Sequence, residues 1–173
     1  MICKERLEAY LREQQVPFQV QQHRLAYTAQ DVATIEHIPN TLMAKVVIVF
    51  ADGTLTMLVL PASHRVDLTQ VGPATGAKEV FLAGEREIAI AFPDCEVGAM
   101  PPFGNLYGVP VYVDRLLAED ETIVFQAGTH TDTISMTYAD YAQLVRPRVV
   151  ELGRSSGYGP PRLVDFRPEL VES

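Results

Sequence analysis

The sequence predicts an α+β fold: a single domain built on a largely antiparallel mixed sheet with surrounding helices. Three observations point there. Two apolar runs, 43–50 and 54–60, flank Ala51-Asp52-Gly53, and Asp-Gly between such runs signals a hairpin. Three further strand-type runs follow at 109–114, 122–127 and 133–136. Around them lie short segments of helical spacing, several opened by threonine and closed by proline.

Leu7, Tyr10 and Leu11 give residues 1–14 a helical spacing that ends at Val16-Pro17, since proline cannot donate and restricts its neighbour. Phe18, Val20 and Gln22 alternate with Gln19, Gln21 and His23, a short strand. Thr28 with Asp31 three residues on reads as a cap for a helix carrying Val32, Ala33 and Ile35 and stopping before Pro39. After the hairpin, residues 61–76 read as loop with one helical turn near Leu68. Lys78 to Ala83 reads as a strand and Glu85 to Phe92 as a helix ended by Pro93. Gly98 to Gly104 is a Pro/Gly loop. Thr137 with Asp140 caps a last helix that reaches Arg146 and stops at Pro147. The body is read as residues 1–152 and residues 153–173 as a flexible C-terminal tail, because Gly, Ser and Pro dominate from Gly153 to Pro161.

The chain has 173 residues, 47% hydrophobic and 21% charged, ordinary globular values for one domain. No stretch of eighteen apolar residues appears, so no membrane span is expected. The start, Met1 to Arg6, lacks the layout of a signal peptide. Cys3 and Cys95 form no CxxC pair and no disulfide framework, which fits a reducing cytoplasm. The net charge is −8, so any contact with nucleic acid is confined to a small part such as one terminal nucleotide. No GxSxG, P-loop or GxGxxG motif appears, which argues against lipase, nucleotidase and dehydrogenase chemistry. His23, His37 and His64 show no metal-ligand spacing.

Lys45 carries the strongest chemical signal. It heads the apolar run Val46-Val47-Ile48-Val49-Phe50, and burying an ammonium without a partner is costly. Two segments offer company. In the loop, Gly98 permits close approach, Pro101 and Pro102 stiffen the chain, and the amides of Gly98, Ala99 and Met100 are candidate oxyanion donors. In Gly128-Thr129-His130, the histidine is a candidate to donate to a carbonyl, contact an amino group or orient water. Asp132 shares a face with His130 if 130–132 is extended, and is a candidate to fix the imidazole tautomer. Tyr27 is a candidate to stack on a base, and Thr28 is first a helix cap.

Taken in order, these pieces resemble the YbaK/prolyl-tRNA synthetase-associated domain family over roughly residues 15–150. The resemblance rests on Thr28 to Ala33, Ala44-Lys45-Val46-Val47, Pro61 to Leu68, the GxxxP loop at Gly98 to Gly104, Val111 to Asp114, and Phe125 to His130. It implies that family's fold, and a free-standing enzyme that edits in trans, hydrolysing the ester of a mischarged amino acid on the 3′ adenosine of a tRNA. It implies no metal, no cofactor and no covalent protein intermediate. Lys45, Gly98 and His130 become the expected catalytic residues. Tyr27, Thr28, Ala99, Met100, Pro101, Gly128, Thr129 and Asp132 become the expected substrate contacts. Alanine, serine or threonine is favoured over cysteine. The expected partner is the acceptor end of mischarged tRNA, with room for weak association with a synthetase, in the cytoplasm. The alternatives are a non-catalytic module that binds tRNA ends or a small ligand as a regulator, and a hydrolase of other small esters.

Overall fold

The computed structural model describes residues 2–155. Among these residues six helices and ten strands form one mixed α+β body. Helix α1 (Cys3–Glu13) presents Cys3, Leu7 and Leu11 one turn apart, and all three are buried. Strand β1 (Gln19–Gln22) leads to α2 (Ala29–Glu36), where the Thr28 hydroxyl accepts the Asp31 amide at 3.0 Å as the sequence predicts. Strands β2 (Ala44–Ala51) and β3 (Thr54–Pro61) form the hairpin, with Asp52 and Gly53 both at positive φ.

The strands divide among three sheets rather than one. The largest has the order β5-β2-β3-β6-β9, with β5 at Val80–Leu82, β6 at Val111–Asp114 and β9 at Arg148–Val150. Strand β6 pairs with β3 and β9 in parallel. Tight turns give antiparallel neighbours, whereas β6 arrives by a long crossover, which is what parallel pairing requires. The second sheet is β1-β8-β7, antiparallel throughout, with β7 at Thr122–Gln126 and β8 at Asp132–Thr137. The third pairs β4 (His64–Val66) with β10 (Gly153–Ser155). The ordered body therefore runs past the boundary expected at 152; the remainder of the expected tail lies outside the described residues.

Residues 61–76 hold more structure than the sequence suggests: β4 and the two-turn helix α3 (Leu68–Thr75). Asp67 caps α3 by accepting the Thr69 amide, and Pro73 lies inside the helix without a main-chain N–H to donate. Helix α4 (Glu85–Ala91) falls where expected, and a 3₁₀ turn (Gly104–Leu106) closes the Pro/Gly loop. The short α5 (Arg115–Ala118) is capped by Asp114, whose second oxygen accepts the buried Leu152 amide at 2.9 Å. Helix α6 (Tyr138–Val145) is capped by Thr137, as predicted.

The main core lies between one face of the large sheet, α1 and the second sheet. Leu7 and Leu11 meet Ala44, Ile48, Met57 and Val59 there, with Phe103, Phe125, Ile134 and Tyr141. Each Leu, Ile, Val, Met or Phe among them contributes about 1.5–3 kcal/mol on burial. A second cluster packs Val32 and Ala33 of α2 on Met43, Ala62 and Val124. A third joins Val49, Leu58, Val71 and Leu152 on the other face of the large sheet.

The two cysteines, read from sequence as isolated, are joined. Cys3 and Cys95 form a disulfide across 92 residues, with Cα atoms 5.0 Å apart. Sequence separation conceals the contact because α1 and the segment after α4 meet only in the fold. No helix among the described residues is long and apolar enough to cross a membrane.

Candidate functional site

His130 sits in the β7–β8 turn and is 8% exposed. Its Nε2 lies 2.9 Å from the Val97 carbonyl oxygen. A carbonyl only accepts, so Nε2 carries the proton, and in the neutral imidazole Nδ1 is a bare acceptor. That Nδ1 is buried and has no hydrogen-bond partner among the described residues. The Tyr27 ring packs against the imidazole with centroids 5.0 Å apart, and Tyr27 itself is exposed. The Ala26 amide donates to the His130 carbonyl at 3.2 Å.

The Pro/Gly loop lies directly against this histidine. Gly98 adopts φ +89°, the left-handed region, and a Cβ there would meet the imidazole Cε1 at 3.5 Å. That backbone turn follows the carbonyl that receives the imidazole proton. Glu96 ties both segments together: its amide donates to the Gly128 carbonyl, and its carboxylate accepts the His130 amide at 2.8 Å. The Gly128 amide donates to the Ala99 carbonyl at 2.8 Å. Further along, the buried Tyr141 hydroxyl donates to the Pro102 carbonyl at 2.7 Å, anchoring the stiff part of the loop. Neither Glu96 nor the Val97 carbonyl stands out in the residue pattern, since a main-chain acceptor leaves no mark on residue type.

Several expected contacts turn out to be engaged elsewhere. The Ala99 amide donates to the Glu96 carbonyl, so it is not a spare oxyanion donor. Met100 and Pro101 are buried, and Met100 packs into the main core. Among the described residues the Gly98 amide meets only the Met100 thioether at 3.3 Å, a weak acceptor. Asp132 does not fix the imidazole. Its Oδ2 accepts the Thr129 hydroxyl at 2.6 Å and the Thr131 hydroxyl at 3.2 Å, closing the turn instead. Gly128, at φ +95°, allows the Cys3 sulfur to pack on the backbone, because a Cβ there would lie 2.5 Å from Sγ.

Lys45 lines a cleft of about 270 Å³ with Thr28, Ala29, Gln30, Asp31 and Ala62. Burial first, and the nearby Arg65 guanidinium second, hold its pKa below the usual lysine value. Burial holds the His64 pKa below its usual value, with Asp114 opposing and the Lys45 ammonium adding to the effect. No ion pair or hydrogen bond engages the Lys45 ammonium among the described residues. A desolvated ammonium beside a second cation, at the N-terminal end of α2, is an environment that favours an anion.

The expected convergence on one cavity is not seen: the lysine cleft is lined by neither the Pro/Gly loop nor His130. Strand alternation puts Lys45 on the face opposite Ala44 and Ile48, which share the main core with Met100 and Phe103. The lysine therefore does not meet the loop through the sheet. Two features link it to His130 around the strand end. The segment from Ala26 to Asp31 touches His130 at Ala26 and Tyr27 and lines the lysine cleft from Thr28 onward. A parallel bridge joins Met43 to Val124; two residues on from it lie Lys45 and Gln126, just before Gly128.

Residues 23–144 match the aminoacyl-tRNA editing domain family. The chain is 26% identical over 160 residues to the multifunctional Ser/Thr-tRNA deacylase ProXp-y of Escherichia coli (strain K12), covering 90% of this chain and 95% of that one. It is 29% identical over 107 residues to the proline–tRNA ligase of Acidithiobacillus ferrooxidans, spanning 61% of this chain and 19% of the ligase. A solved structure of a protein proposed as a trans-editing enzyme for prolyl-tRNA synthetase superposes with a TM-score of 0.77 at 17% identity. That match covers 88% of this chain and 98% of the other, and at this identity it speaks for the fold alone.

Proposed function

We propose, from the premise that this chain belongs to the aminoacyl-tRNA editing domain family, that it is a trans-acting deacylase of tRNA mischarged with a small amino acid. Serine and threonine are the first candidates, since the Escherichia coli relative is named for them; alanine ranks next and cysteine last. One methylene changes binding by only about 1–3 kcal/mol in an apolar pocket, so neighbouring amino acids share substrate status to a degree.

The observation that carries this reading is the His130 imidazole, with its Nε2–H donating to the Val97 carbonyl, its Cε1 facing Gly98 and its Nδ1 without a partner among the described residues. An aminoacyl ester is already activated, so its hydrolysis needs a placed water and a stabilised oxyanion. In this tautomer His130 does not donate to the ester carbonyl. It accepts at Nδ1, from the attacking water or the substrate amino group. The Gly98 amide, weakly engaged, is the proposed donor to the oxyanion. Lys45 and the start of α2 are the proposed seat of the terminal nucleotide's phosphate, with Tyr27 against its base. A weak association with a synthetase and a cytoplasmic setting complete the proposal.

The test offers the purified protein tRNAs charged with Ser, Thr, Ala and Cys, alongside free aminoacyl esters. Faster hydrolysis of charged tRNA, lost in Lys45→Ala, supports the deacylase. Binding without turnover points to the regulatory module, and indifference to the tRNA points to a general esterase.

A further inference from the structure

We infer that the Cys3–Cys95 pair is a redox clamp on the loop that positions His130. The bridge joins α1 to the residue immediately before Glu96. From Glu96 onward every link to the imidazole is a short bond. The Glu96 amide donates to the Gly128 carbonyl, its carboxylate accepts the His130 amide, and the following carbonyl, of Val97, accepts from Nε2–H. On the other side of the bridge, Cys3 is 1% exposed and its sulfur rests on the Gly128 backbone. The disulfide thus touches both segments that define the histidine's orientation.

Its surroundings suit thiol exchange. Cys95 is only half-buried, so it is the sulfur an external thiolate reaches. The Tyr107 hydroxyl lies 3.4 Å from the Cys3 sulfur and 3.2 Å from the Cys95 sulfur, and it donates to Asp94 at 3.0 Å. The Arg6 guanidinium stands over the Tyr107 ring at 4.6 Å and 3.6 Å from Asp94. The Arg6 charge offsets the Asp94 carboxylate beside the sulfurs, and attack on Cys95 releases Cys3 as the thiolate. Closing the bridge joins the two sulfurs and releases two protons and two electrons. A low-molecular-weight disulfide takes them up and becomes two thiols; a dithiol reductant reverses the step.

Cys3, Asp94 and Cys95 also lie within metal-ligand reach of one another. The Arg6 charge beside Asp94 opposes a cation there, which favours the bridge.

The consequence for turnover rests on the deacylase reading; the consequence for the loop does not. The bridged state pre-orders Val97 and Gly98, so reduction lowers deacylation. The experiment compares the full chain after treatment with excess oxidised glutathione and with a dithiol reductant. Alkylation and mass measurement should count no free thiols in the first state and both in the second. Amide exchange at Glu96, Ala99, Gly128 and His130 should be about tenfold slower or more in the oxidised state, and deacylation about tenfold faster. A Cys3→Ser/Cys95→Ser double variant should show neither difference. Slower exchange with no turnover in either state would uphold the clamp and remove the deacylase. Two alkylatable thiols after oxidation, equal exchange in both states, or stoichiometric zinc protecting both thiols in the reduced protein would each overturn the clamp.

Discussion

The Nε2–H of His130 donates to the main-chain carbonyl of Val97 at 2.9 Å, across 33 positions of sequence. This bond selects one imidazole tautomer and aims the other nitrogen as an acceptor. It makes a loop carbonyl, rather than the carboxylate of Asp132, the group that sets the chemistry of the histidine.

His130→Ala removes the acceptor and is expected to lower kcat/KM for charged tRNA by about 10²-fold or more. Thermal unfolding should fall only modestly, because Glu96 still holds the main chain at this position through the amide. A deacylation time course beside a melting curve separates the two effects.

Gly98→Ala places a Cβ on a residue at φ +89°. The left-handed conformation costs a non-glycine residue roughly 1–2 kcal/mol. Relief of that strain turns the peptide and moves the Val97 carbonyl away from the imidazole. Activity should fall by more than the stability loss explains, and the His130 ring resonances should shift in the NMR spectrum.

Lys45→Met is expected to weaken turnover while stabilising the fold. Burial and Arg65 hold this lysine below its ordinary pKa of 10.5, so the unfolded chain binds the proton more tightly than the folded one. The stability contributed here rises as pH climbs through the folded pKa toward 10.5, and below that window the charge is a cost. Removing it should raise stability at neutral pH by on the order of 0.5–1 kcal/mol. Denaturant midpoints at pH 7 and 10 should differ less in the variant than in the wild type.

Glu36→Gln tests a buried site under α2. Burial raises the Glu36 pKa above its ordinary 4.5, against the opposing effects of the Thr133 hydroxyl and His23. The folded state then holds the proton more tightly than the unfolded one. That stability is present below pH 4.5 and is lost as pH rises through the higher folded pKa. The wild type should weaken over that window in urea titrations, and the glutamine variant should not.

How far the sequence revealed these features depends on whether their causes are local. The Thr28 and Thr137 caps, the Asp52-Gly53 turn and the runs that become β7 and β8 are set by neighbouring residues, and all appear where expected. Strands β4, β9 and β10 are three residues each and exist only because distant partners pair with them, so no pattern announced them. Lys45, Gly98 and His130 were legible as a charge, a glycine and an imidazole in suggestive places. Their actual couplings run through Val97, Glu96 and Tyr27, contacts made by tertiary packing. Cys3 carried one overlooked hint: it stands one helical turn before Leu7, on the face that is buried.

Single-turnover hydrolysis of Ser- and Thr-charged tRNA by the wild type and by His130→Ala tests the central claim most directly. The account predicts rapid ester cleavage by the first and a loss of about two orders of magnitude in the second. Equal rates for both proteins, or no cleavage above the spontaneous rate with the wild type, would contradict it.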